Sequence, residues 1–114
     1  MKKKSVSQKI LHEIIKRIVK VADPERIVMF GSAARGEMGP NSDIDLLVIK
    51  KGVNNPRDIA ADIYLSLYGI GEAVDIIVAS PEQVEKYRDS PYLVINPALQ
   101  DGVVIYNAGT IAAR

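Results

Sequence analysis

Cysteine is absent from the 114 residues, and histidine occurs once, at His12. Disulfide frameworks and cysteine-ligated zinc are thereby excluded, and a histidine-rich metal centre with them. Any catalytic metal must sit on oxygen ligands. Charge of one sign is missing too: 15 Lys+Arg face 14 Asp+Glu, a net charge of +1, without the basic excess of a generic nucleic-acid-coating protein. Direct nucleic-acid binding is therefore not expected. Long apolar runs are also absent, and stretches such as Val103-Val104-Ile105 fall far short of the roughly 20 residues a membrane span needs. Met1-Lys2-Lys3-Lys4 carries the charge of a signal-peptide start. Ser5, Ser7, Gln8 and Lys9 follow in place of an apolar segment, so a cytoplasmic protein is expected.

What is present belongs to a globular domain: 47% hydrophobic, 25% charged, 8 Gly and 6 Pro, neither disordered nor fibrous. A chain of this size buries roughly two-thirds of its unfolded surface, so residues 1–114 read as one domain with an ordinary core. Ile10, Leu11, Ile14, Ile15, Ile18 and Val19 recur at helical spacing and predict a helix over 5–21, stopped by Asp23-Pro24. His12 falls on its solvated side. Arg26–Phe30 is short and apolar and predicts a buried strand. Gly31–Gly36 suits a tight turn with one helical turn capped by Ser32, and Glu37–Ser42 a loop. Asp43–Ile49 predicts a second strand. Asn55-Pro56 is a cap followed by proline at the first helical position, opening a helix with Ile59, Ile63, Leu67 and Ile70 on one face. Val74–Val78 predicts a third strand, and Ser80-Pro81-Glu82-Gln83 a capping box for a helix to about Tyr87. Residues 90–100 predict a further helix, kinked or restarted at Pro97, and Val103–Tyr106 a last strand. Alternating strands and helices predict an α/β (α+β) domain, a small mixed sheet flanked by helices.

Three features carry chemistry: Gly31-Ser32 after the first strand, Asp43-x-Asp45 opening the second, and Asp75 in the third. Alternate strand residues share a face, so Asp43 and Asp45 project together, with Cβ atoms about 6–7 Å apart. A neighbouring strand lies about 4.8 Å away, so Asp75 completes the cluster if the third strand pairs with the second. Two carboxylates about 5 Å apart repel by about 3 kcal/mol at an effective dielectric near 20, a repulsion that cations offset. Two magnesium ions about 3.5–4 Å apart suit such a fork, with Asp43, Asp45 and Asp75 as ligands and the third acid also a candidate general base. Gly31 lets a ligand approach the backbone, and Ser32 offers a hydroxyl beside the N–H groups of a helical turn, as a phosphate requires. Arg35 is a candidate phosphate clamp or a charge closing the short helix. Ser42 is a nucleotide-binding candidate or a turn residue. Tyr64 and Tyr68, one turn apart, read as packing or a partner surface. An isolated Asp-x-Asp also suits a solvated turn or a calcium loop; the Gly-Ser spacing and the third acid favour nucleotide chemistry.

Gly31-Ser32, ten intervening residues and Asp43-Ile44-Asp45 resemble the signature of the DNA polymerase β-like nucleotidyltransferase superfamily. The fuller string, Gly31-Ser32-Ala33-Ala34-Arg35-Gly36 with Asn41-Ser42-Asp43-Ile44-Asp45-Leu46, is similar to the minimal nucleotidyltransferases, the MntA-like antitoxins. The resemblance implies Gly31 and Ser32 on a triphosphate, Asp43 and Asp45 on two Mg2+ ions, and Asp75 as the third acid. It also implies ATP as substrate and a HEPN-domain toxin as partner in a heteromeric complex, silenced by transfer of AMP to a tyrosine. Larger nucleotidyltransferases append domains that bind their acceptor, so here a partner is expected to bring it. The alternative is a binding module that inhibits its toxin by contact alone, its site vestigial or nucleotide-sensing.

Overall fold

The computed structural model describes residues 6–39, 42–87, 100 and 102–108. Helix α1 (Gln8–Ala22) turns Leu11, Ile14, Ile18 and Ala22 into the core and leaves His12 in solvent. Asp23 ends it in the left-handed conformation, its N–H donating to Val19 O, and fully buried Pro24 leads into strand β1 (Arg26–Phe30). One helical turn, α2 (Gly31–Ala34), follows at once. Strand β2 (Ile44–Ile49) leads through a loop to helix α3 (Pro56–Ser66), whose Asn55 side chain accepts from the Arg57 N–H as the sequence predicts. Strand β3 (Val74–Ala79), helix α4 (Pro81–Tyr87) and strand β4 (Val103–Asn107) complete the order. The capping box at α4 forms in both directions: Gln83 N–H donates to Ser80 Oγ at 3.1 Å, and Ser80 N–H to Gln83 Oε1 at 2.9 Å. The helix predicted over 90–100, with Pro97, lies outside the described residues apart from Gln100.

The four strands form one mixed sheet in the order β3-β2-β1-β4. β1 runs antiparallel to β2 and β4, while β2 and β3 run parallel, joined by α3 as crossover. Side-chain alternation separates two apolar layers. Ile27, Met29, Ile44, Leu46, Val48 and Ile76 face α1 and α3 in the main core, where Ile14, Ile18 and Ile63 are wholly buried. Val28, Leu47, Ile49 and Ala79 face the other way, against Val84 of α4. Each fully buried aliphatic side chain contributes about 1.5–3 kcal/mol. The main layer therefore fixes which residues point to the opposite face. Arg17 ties the two helices of that layer together, its guanidinium donating to Ser66 O (3.2 Å) and Tyr68 O (3.1 Å) at the C-terminus of α3 and to Glu13 Oε2 (2.9 Å). That ion pair holds the Glu13 carboxyl below its ordinary pKa. Among the described residues no helix is long and apolar enough to cross a membrane.

Candidate active site

The β2–β3 register sets the site. Asp45 pairs with Asp75 across the parallel ladder, and Phe30 lies opposite Asp45 on the other side. Residues in register project to the same face, so Phe30, Asp45 and Asp75 form a row where β1 ends and β2 and β3 begin. That row shares the face of Leu47 and Ile77, away from the main core. Asp43 lies two residues before Asp45, just outside the strand, and is exposed, as is Asp75; Asp45 is half-buried. The predicted condition for an acidic cluster, pairing of the second and third strands, is met.

Electrostatics follow this placement. The Asp45 carboxyl is pushed above its ordinary pKa, first by burial, then by the negative charges of Asp75 and Asp43. Gly31 closes the other side, with φ +72°, a conformation that L side chains rarely adopt. A Cβ on Gly31 would lie 2.5 Å from Asp45 Oδ2, so only glycine lets the α2 backbone pass this close to the acid.

The other predicted residues are distributed unevenly. Ser32 does not cap α2: the helix begins at Gly31, with Phe30 at the cap position, and the Ser32 hydroxyl donates to Met38 Sδ at 3.7 Å. A residue already inside the turn cannot cap its first N–H groups. Arg35 is exposed at the C-cap of α2, its Nε donating to Glu37 Oε1 at 2.8 Å. Ser42 precedes β2, its Oγ accepting from Gly39 N–H at 2.9 Å. Tyr64 is the residue that motif spacing missed as part of the site. From α3 its hydroxyl donates to Asp75 Oδ1 at 3.1 Å and accepts from Ile76 N–H at 2.8 Å. Burial and the Asp75 carboxylate raise its pKa, against the lowering by the Ile76 N–H. No local motif signals this contact, because it joins a helix to a strand that follows it.

The donor set suits a hard divalent cation: only oxygen ligands, with Asp45 held up first by burial and then by the charges of Asp75 and Asp43, a repulsion such a cation relieves. Among the described residues no three acidic or histidine side chains stand close enough together to hold a metal ion.

Comparison with known proteins fits this geometry. Residues 8–101 match the family model of the nucleotidyltransferase domain. A Sulfolobus solfataricus protein assigned to the nucleotidyltransferases shares the fold with a TM-score of 0.62 and 25% identity, over 89% of this chain and 80% of that one. A mutant MntA–HepT toxin–antitoxin structure superposes with a TM-score of 0.52 over 95% of this chain and 79% of that one; at 14% identity the likeness is one of fold. No curated protein matches significantly in sequence. A mixed sheet with a Gly-Ser turn after its first strand, an acidic pair opening its second and a family match across 8–101 lead to one conclusion: the chain belongs to the nucleotidyltransferase domain family.

Proposed function

We propose that this domain is a magnesium-dependent nucleotidyltransferase that moves AMP from ATP to a tyrosine of a HEPN-type toxin partner and thereby neutralises it, as the antitoxin of a cytoplasmic pair. The observation that carries the reading is the in-register pair Asp45–Asp75, with Asp43 two residues away and Gly31 against the Asp45 carboxylate. Asp43 and Asp45 are the residues to hold the cation, with Asp75 as a third ligand or the base for the acceptor hydroxyl. Bound there, magnesium supplies charge neutralisation of the triphosphate and activation of the attacking oxygen. Gly31 gives a phosphate room at the backbone, and the Ser32 hydroxyl is free to exchange its weak sulfur contact for a phosphate oxygen. Arg35 and Ser42 lie on the segment between the Gly-Ser turn and the acids, where a nucleotide would pass. The partner reading is supported by the string Gly31–Gly36 with Asn41–Leu46, and by the fold shared with the MntA–HepT antitoxin system.

The test uses α-labelled ATP with the co-expressed partner. Label should pass to the toxin only with magnesium, and Asp43→Ala/Asp45→Ala should abolish transfer and protection while the complex still forms. Protection retained by that variant would establish inhibition by contact alone. Binding is read separately: a ligand at about 100 times its dissociation constant adds about 2.7 kcal/mol, so Mg-ATP should raise the wild-type melting temperature clearly.

A further inference from the structure

The geometry points to Tyr64 as the positioning residue that holds Asp75 for the cation, a role resting on the site reading above. Asp75 is exposed on the edge strand of the sheet, so nothing in the core restricts its side chain. Tyr64 restricts it instead. Its hydroxyl is fixed at two points, accepting from Ile76 N–H at 2.8 Å and donating to Asp75 Oδ1 at 3.1 Å. The first contact occupies a backbone donor that β3 offers at its outer edge, so the phenol is locked to the strand that carries the acid. The second selects one oxygen of Asp75 and leaves Oδ2 for a ligand on the face shared with Asp45. Carboxylates that bind metals are commonly oriented in this way, and loss of the orienting partner typically weakens metal binding about 10–100-fold. The tyrosine is itself 44% exposed, while the Ile76 N–H that it accepts from belongs to a buried residue. A phenylalanine there keeps the ring and removes both contacts of the hydroxyl, leaving the Ile76 N–H on the outer edge of β3.

The experiment is a melt of the full chain at fixed ATP over a magnesium titration, comparing wild type, Tyr64→Phe, Asp75→Asn and the double variant. Tyr64→Phe should melt within a degree or two of wild type without magnesium, yet need about ten-fold more magnesium for its half-maximal shift. On the Asp75→Asn background the same change should add nothing, because the two residues act as one unit. A Tyr64→Phe midpoint equal to or below that of wild type overturns the role while leaving the site reading intact. Additive effects in the double variant overturn it too. Absence of any magnesium response in wild type removes the site reading and this role together. Should Tyr64→Phe melt markedly lower without magnesium, its role is structural and the inference falls.

Discussion

Replacing Asp45 by Asn tests whether the acids of this site repel one another in the absence of metal. The side chain keeps its shape, so packing beside Phe30 and Gly31 is preserved and the charge alone is removed. Strands about 4.8 Å apart bring the Asp45 and Asp75 carboxylates to about 5 Å, a repulsion of about 3 kcal/mol at an effective dielectric near 20. Asp75 and Asp43 are exposed and Asp45 is half-buried, so water and salt reduce that to about 1 kcal/mol. At about 2.1 cal/mol/K per residue, unfolding entropy for a chain this size makes 1 kcal/mol worth about 4 °C. The metal-free variant should therefore melt about 4 °C above wild type at neutral pH. The sign with pH follows from the raised Asp45 pKa. The folded protein binds this proton more readily than the unfolded chain, so the favourable contribution is complete below the ordinary carboxylate range and is lost as pH rises through the folded pKa. At about pH 3 the advantage of Asn should vanish. With saturating magnesium and ATP the order should reverse, since only wild type binds. Scanning calorimetry at both pH values decides it: a variant less stable at neutral pH, or equally favoured at both, refutes a cost to the Asp45 charge, and a gain undiminished on an Asp75→Asn background assigns that cost to burial in place of repulsion.

Gly31→Ala should cost about 1–3 kcal/mol from backbone strain at φ +72° together with the 2.5 Å approach to Asp45 Oδ2. Adding Asp45→Ala should recover only the contact part, as read by urea denaturation. Ile14→Ala, at a wholly buried position in the main layer, should cost about 2–5 kcal/mol and unfold the domain at a correspondingly lower temperature. Arg17→Ala should cost about 1 kcal/mol by releasing the two carbonyls at the end of α3, with Arg17→Lys recovering part of it in the same melts.

Most of the fold was legible because local chemistry and global packing agree. Asn55-Pro56 and Ser80–Gln83 announce helix starts through side chains that meet backbone N–H groups within three residues, and both form. Ile27, Leu46 and Ile76 lie in strands readable from short β-branched runs. The register of Asp45 with Asp75 follows from the same two strands being readable, whereas Asp43, expected on the strand with Asp45, lies just outside β2. What escaped depends on contacts distant in the chain. Arg17 belongs by periodicity to the polar side of α1, yet it reaches residues 66 and 68. Tyr64 reads as packing or a partner surface until the crossover brings α3 beside β3. Ser32 misled in the opposite way, because a hydroxyl near a helix start has the composition of a cap without its position.

The site is also a consequence of register, which ties its chemistry to the main core. Val74, Ile76 and Val78 of β3 pack on the layer that holds Ile44, Leu46 and Val48 of β2. Those apolar residues face the core in the alignment Ile44↔Val74 through Ile49↔Ala79. Once they are buried, Asp45 and Asp75 are obliged to point to the opposite face, since a slip of one residue would reverse every side chain of β3. A slip of two would preserve burial and still separate the acids by more than one strand spacing. The hydrogen bonds of Tyr64 to both Asp75 and Ile76 discriminate against that second error, because the phenol engages consecutive residues of one particular step of the edge strand. Apolar alternation thus chooses the face and the tyrosine helps choose the step, so the acids stand together without the core having to accommodate any charge.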